Sequence, residues 1–254
     1  MRTLAIANQK GGSAKTTTSV NLAATLAEKA RRVLLIDLDA QANATQWLRA
    51  ETGGRGLLDV FSGAAQLIDI VFPSSAPGVD MVGASSWLVG AEKALAGEVG
   101  AETLLRRELA DLPAERWDYI LIDCPPALGI LTVNALTAAK ELLIPVETHT
   151  LALNGLAQLM QTVELVRDRL NADLRVAGIV PCRVASRTRH SQEVIEALHA
   201  KFGNVCTNVS IRENVRIAEC PSFGIPITLY ASNSAGAEDY RALALEIIAQ
   251  EGSF

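Results

Sequence analysis

The sequence lacks the marks of an exported or membrane-spanning chain: it opens with no basic-then-apolar leader pattern, and no run of about 18 apolar residues occurs. A soluble, cytoplasmic protein is therefore expected, with no membrane partner. Cysteine is sparse. Cys124, Cys182, Cys206 and Cys220 are scattered without Cys-x-x-Cys spacing, which argues against a zinc site and, without an export signal, against disulfides. Buried free thiols are the expectation. There is no excess of positive charge, the net charge being -5, so a polyanion could be held only by a local patch. One such patch exists between Arg183 and Arg216, where Arg183, Arg187, Arg189, Lys201, Arg212 and Arg216 stand against only Glu193, Glu196 and Glu213. No internal repeat, low-complexity tract or linker marks a boundary. A chain of 254 residues, 49% hydrophobic, is read as one α/β domain with a large core, although its length would also permit two.

What is present is organised around Asn8 to Thr17, a glycine-containing stretch between the apolar run Leu4 to Ala7 and an alanine-rich helical pattern. A strand that ends in glycines and turns into a helix aims backbone N–H groups and a helix N-terminus at an anion. Lys15 would carry charge to the β- and γ-phosphates, and the Thr16 hydroxyl would sit on Mg²⁺. The standard phosphate-loop spacing is not met, because Gln9 and Ala14 occupy positions where it wants glycine. The stretch instead resembles the deviant Walker A motif of the ParA/MinD/NifH class of ATPases, with Lys10 ahead of Gly11 and Gly12. Ala14, where that class usually has glycine, adds a methyl close to the phosphates.

The rest alternates short apolar runs with helical patterns. Strand Thr3 to Asn8, helix Thr16 to Ala30 and strand Val33 to Asp39 read as a βαβ unit, and the continuous apolar run Val33 to Ile36 suits a parallel strand buried on both faces. Asp37 and Asp39 then stand at a strand's C-terminal end, where open α/β sheets bind ligands. A short helix is expected over Leu57 to Phe61, brief strands near Ile68 to Val71 and Val79 to Val82, and surface helices over Trp87 to Leu95 and Glu102 to Leu112. Tyr119 to Asp123, followed by Pro125 and Pro126, reads as a Walker B strand whose aspartate holds the Mg²⁺ shell, with Ala127 to Gly129 as a mobile loop. Strand Leu142 to Val146 with helix Asn154 to Leu170 follows, then strand Val176 to Pro181 with helix Ser191 to Phe202. The last units run through Val205 to Val209, Asn214 to Glu219 and Ile225 to Leu229 to a final helix Gly236 to Gln250, which is not a basic amphipathic one.

Over nearly its full length the chain resembles the small ParA-type partition ATPases close to the Soj group. The agreement lies in Ala7 to Gly12 with Lys15 to Thr18, Val20 to Ala23, Val33 to Asp39, Ile122 to Pro126, and Glu213 to Gly224 with Gly236, Ala237 and Tyr240. The resemblance implies a single-domain P-loop NTPase fold, a mostly parallel twisted sheet with helices on both faces. It implies an ATPase using ATP and Mg²⁺ that forms a homodimer with ATP, binds double-stranded DNA without sequence preference and associates with the nucleoid. A ParB-like partner would stimulate it, for chromosome or plasmid segregation. The phosphates would lie on Lys10, Gly11, Gly12, Ser13, Ala14, Lys15, Thr16 and Thr17, with Lys10 reaching across to the other subunit. Asp39 would position the attacking water, and Thr16, Asp39 and Asp123 would serve the metal. Adenine would rest between the strand end at Pro181 to Arg183 and the loop at Arg212, making Arg183 and Arg212 its neighbours. DNA would be met by Arg187 and Arg216. In that loop the family usually has Ile-Pro-Arg-Asn-Val-Arg, whereas this chain has Ile211-Arg212-Glu213-Asn214-Val215-Arg216. The larger members' N-terminal helix-turn-helix is not expected. A ParA-like positioner of protein cargo, such as carboxysomes or chemoreceptor clusters, with a cargo adaptor as activator, fits the same motifs. A MinD-like membrane-site ATPase fits less well, for want of a basic amphipathic tail.

Overall fold

Every residue of Val33–Asp37 is buried, as a parallel strand covered on both faces requires. With β1 (Arg2–Ile6) and α1 (Lys15–Glu28) it forms, as β2, the first βαβ unit. The computed structural model describes residues 1–254 except 51–52, 86, 96, 150–151, 186–188 and 253–254. After β2 come α2 (Asn43–Trp47), α3 (Leu57–Phe61), β3 (Val71–Pro73), β4 (Val79–Val82), α4 (Leu88–Leu95) and α5 (Leu104–Ala110). Then follow β5 (Tyr119–Asp123), α6 (Ile130–Ala138), β6 (Glu141–Glu147), α7 (Ala152–Arg169), β7 (Arg175–Cys182) and α8 (Arg189–Phe202). The chain finishes with α9 (Val215–Phe223), α10 (Ile227–Tyr230) and α11 (Ala235–Ala249).

Among the described residues seven strands form one sheet in the order β3-β4-β2-β5-β1-β6-β7, parallel throughout except for the β3–β4 pair. Alternate strand residues feed two cores. Ala5, Leu34, Ile36, Ile120 and Ile122 face a cluster built with α3 to α8, while Leu4, Ile6, Val33, Leu35 and Leu121 face one built with α1, α2 and α9 to α11. The sheet is thus the middle layer of three. Its central strands β5, β1 and β2 carry their loops to a shared C-terminal rim, the ligand-binding edge of doubly wound folds.

β6 contains Pro145 although β1 and β7 flank it. Odd-numbered residues of β6 turn their peptide groups towards β1, since Ala7 N–H donates to Leu143 O. Pairing with β1 reaches only Leu143, so the missing Pro145 N–H breaks no ladder bond. The Pro145 carbonyl instead accepts from Asn8 Nδ2 at 2.7 Å, tying the start of the glycine loop to β6.

Two expectations need correction, and one helix has no counterpart among them. The strand near Ile68 to Val71 is a 3₁₀ turn over Leu67–Ile70, and β3 covers only Val71–Pro73. Leu67 and Ile70 are both buried at i, i+3, which is a helical-turn spacing, and Asp69 Oδ2 accepts from Gln66 N–H. α6, directly after the Ala127 to Gly129 loop, was not anticipated. It is apolar nearly all round because α5 and α7 pack on it, and it therefore lacks the periodicity of a surface helix. The Val205 to Val209 unit is reduced to a 3₁₀ turn over Gly203–Val205 and a bridge from Ile179 to Cys206. All four cysteines are buried and free.

Candidate functional site

The glycine loop leaves β1 at the rim and enters α1. Gly12 has φ 76°, and so does not resist the turn, but Ala14, the residue that caps α1, is also left-handed at φ 68°. Among the described residues no side chain caps α1, which leaves its first N–H groups available to an anion. A β-carbon added at Gly11 or Gly12 would meet nothing within 4 Å, which leaves open space beside the loop backbone. Ser13 Oγ is buried without a hydrogen-bond partner among the described residues.

Lys15 is nearly buried, 7% exposed, and donates from Nζ to Lys10 O at 3.3 Å. Burial pulls its ammonium below the ordinary lysine range, with Asp123, Cys124 and Asp39 acting in the opposite direction. Lys10 Nζ pairs with Glu147 Oε2 at 3.0 Å, and the same carboxylate meets Arg183 Nη1 at 3.5 Å. The lysines thus differ: one is enclosed, the other lies at the loop's open side.

The acidic residues come from adjacent strand ends, Asp37 standing beside Asp123 in the β2–β5 register. Asp37 accepts from Asp39 N–H at 3.1 Å, Thr45 N–H at 2.9 Å and Thr45 Oγ1 at 2.7 Å, which saturates it as a structural anchor for the Asp39 turn. Asp39, at 9% exposed, accepts among the described residues only from Gln41 N–H, at 3.0 Å through Oδ1, which leaves Oδ2 without a partner there. Asp123 accepts from Ser19 Oγ at 2.8 Å through Oδ1, and its buried Oδ2 has no hydrogen-bond partner among the described residues. Burial first, and then the neighbouring Asp37 charge, raise Asp123 above the usual carboxylate range, while Thr16, Ser19 and Lys15 oppose the rise. The buried Asp37 is raised too, by desolvation. Carboxylate and hydroxyl oxygens are the hard donor type that suits Mg²⁺, so Thr16, Asp39 and Asp123 fit such a cation by their chemistry, and Asp123 Oδ2 is a buried oxygen without a hydrogen-bond partner among the described residues.

Beside the loop lies a cavity of about 520 Å³ lined by Ala14, Thr17, Arg183, Arg212, Glu213 and Tyr240, among others. Arg183 and Arg212 are therefore brought together at its wall. Arg183 sits at φ 51°, and the Arg212 guanidinium is engaged with Asp239. Arg216 is exposed in the first turn of α9 and pairs with Glu219 at 3.0 Å. Arg187 lies outside the described residues. Among the described residues no helix is long and apolar enough to cross a membrane.

Sequence reasoning overlooked Ser19, Thr45 and Glu147. Ser19 follows Lys15 by one helical turn and so shares its face; Glu147 is a carboxylate at a strand's C-terminal end, the same signal that singled out Asp39 and Asp123.

An AAA domain family matches residues 1–176. The chain is 44% identical over 248 residues to the sporulation initiation inhibitor protein Soj of Bacillus subtilis, covering 97% of this chain and 98% of that one. It is 45% identical to the chromosome-partitioning ATPase Soj of Thermus thermophilus, covering 98% and 96% of the two chains. Among solved structures, a Mycobacterium smegmatis protein described as cobyrinic acid a,c-diamide synthase, with bound ATP analogue and magnesium, superposes with a TM-score of 0.86 at 34% identity, covering 98% of this chain and 95% of that one. A glycine loop at the head of α1, two aspartate-bearing strand ends and a cavity of about 520 Å³ on one rim, together with these similarities over nearly the whole chain, place it in the Soj/ParA family of chromosome-partitioning ATPases.

Proposed function

We propose that this chain binds ATP with Mg²⁺ at the rim, dimerises on doing so, holds DNA without sequence preference and hydrolyses ATP when a ParB-like partner stimulates it. The observation that carries the reading is the convergence of the uncapped start of α1, the enclosed Lys15 and the unpartnered Asp123 oxygen beside a cavity of about 520 Å³. Lys10 to Thr17 would cradle the phosphates through backbone N–H groups, and Arg183 and the Arg212 loop would flank the base. Bound Mg²⁺, held by Thr16 with Asp39 and Asp123, would neutralise charge on the phosphate oxygens. Lys15 supplies a fixed positive charge whose effect is strengthened by its burial. Asp39 has a carboxylate oxygen free to accept a hydrogen bond from water and orient it for in-line attack. Lys10, on the open side of the loop, would serve the phosphates of a second copy. Arg187 and Arg216 would meet DNA phosphates.

Phosphate release, measured with and without duplex DNA and a ParB-like protein, tests the whole reading. Both additions together should raise turnover, and Lys15→Ala should abolish ATP binding in calorimetry while the chain stays folded. Unchanged ATP affinity in folded Lys15→Ala would overturn the site, and stimulation by a cargo adaptor instead of a ParB-like protein would assign the chain to protein positioning.

A further inference from the structure

The loop 211–214 forms one wall of the cavity of about 520 Å³ that Ala14 and Thr17 at the head of α1 also line. Proline, the residue that the family resemblance leads one to expect at position 212, would stiffen such a wall by fixing φ. Arginine brings no such constraint, and here it is held by other means. Its backbone N–H donates to Asp239 Oδ2 at 2.9 Å, and its guanidinium meets the same carboxylate through Nε at 3.0 Å and Nη2 at 2.7 Å. Nη2 also reaches Ala235 O at 3.2 Å, at the first residue of α11. Asp239 is only 8% exposed, so losing these donors would strand a nearly buried carboxylate. On its other side the loop is tied to the end of β7: Ile211 N–H donates to Pro181 O at 2.8 Å, and Glu213 N–H to Val184 O at 3.1 Å. The Arg212 N–H is absent from that ladder, being committed to Asp239.

We propose that Arg212 is a positioning residue: acting through Asp239, it clamps the 211–214 loop between β7 and α11 and so sets the wall against which the nucleotide base packs. This rests on the nucleotide-binding reading above and adds to it a division of labour, since the clamp serves the base and leaves the phosphates to the Lys10–Thr17 loop. The fork geometry matters as much as the charge, because a bidentate guanidinium–carboxylate pair fixes orientation and a lysine ammonium does not.

Calorimetry with two probes, ATP and inorganic tripolyphosphate, each with Mg²⁺, separates base from phosphate. Arg212→Ala and Asp239→Asn should each weaken ATP about tenfold and leave tripolyphosphate within about twofold, while the double variant is no weaker than either single one, as expected for a coupled pair. Arg212→Lys should fall between. The near-isosteric Asp239→Asn guards against a folding defect in Arg212→Ala, and thermal unfolding is recorded for each. Unchanged ATP affinity in both single variants, parallel losses of ATP and tripolyphosphate, or additive losses in the double variant would overturn the proposal. Lys15→Ala should lose both probes; if it keeps both, the nucleotide-binding reading itself fails, whatever happens at Arg212.

Discussion

Lys10 Nζ lies 3.0 Å from Glu147 Oε2 of its own chain, so the lysine proposed to serve a second copy is held in place by a local carboxylate. Both side chains are partly exposed, at 36% and 25%, which limits such a pair to at most about 1 kcal/mol. Glu147→Gln should therefore favour ATP-dependent dimerisation by about two- to fivefold. Lys10→Ala should bind ATP and remain monomeric. Analytical ultracentrifugation across an ATP titration checks both; a parental monomer–dimer balance in both variants would rule out any role for the pair in association.

Asp39 and Asp37 are two residues apart and differ in their hydrogen bonding. Both oxygens of Asp37 are taken by Thr45 and the Asp39 N–H, whereas Asp39 Oδ2 accepts no hydrogen bond among the described residues, which suits the proposed water-orienting role. Asp39→Ala should bind ATP, accumulate as the ATP-bound dimer and lose at least about a hundredfold in turnover, in the range set by removal of a positioned general base. Single-turnover hydrolysis at the parental rate would exclude it.

Ala14 caps α1 from a left-handed conformation, φ 68° and ψ 23°, which costs a residue with a β-carbon about 1 kcal/mol or more. Glycine has no such penalty but is freer when unfolded, so Ala14→Gly should raise stability by up to about 1 kcal/mol. Urea unfolding checks this. A lower midpoint would mean that the methyl contributes more in packing than its backbone costs.

Asp123 supplies a pH test. Its folded carboxyl is raised, so the native chain binds this proton more tightly than the unfolded one, and stability declines as pH rises from about 4 through the raised value. Asp123→Asn keeps an acceptor for Ser19 Oγ and removes the charge. Without nucleotide it should flatten the decline and gain on the order of 1–2 kcal/mol at pH 8, while Mg²⁺-dependent hydrolysis is lost. Urea melts at pH 5 and pH 8 measure the difference, and equal slopes for parent and variant would contradict it.

Arg216 is exposed but paired with Glu219, which also accepts from Tyr230 Oη at 2.8 Å. If Arg216 meets a DNA phosphate, Arg216→Ala should weaken all duplex sequences alike and reduce the slope of log K against log salt by about 0.9. The same treatment applies to Arg187. Titrations at several salt concentrations that show the parental slope for both variants would move the DNA surface elsewhere.

The parts legible in the sequence were those in which chemistry and local chain direction coincide. Lys10 to Thr17 is contiguous and lies at the turn from β1 into α1, and Asp37 and Asp123 end apolar runs that are central strands of the sheet, with Asp39 two residues on. Partners brought in by distant strands were not legible. Glu147 reaches Lys10 across 137 positions, and Asp239 reaches Arg212 across 27, with no pattern in either neighbourhood to announce the pairing. α6 escaped for the opposite reason, because burial on nearly all sides erased the periodicity that reveals a helix.

The two margins of the sheet limit how copies of this chain can meet. β3 is three residues long and ends in Pro73, and the far side of β7 is occupied by Thr207 and Ile211, whose N–H groups bond to Ile179 O and Pro181 O. A short strand closed by proline and a strand already lined by its own chain offer little backbone to a stranger, the arrangement that guards against runaway strand addition. The association proposed above would then fall to side chains, whose contacts can be made and undone without unzipping a sheet.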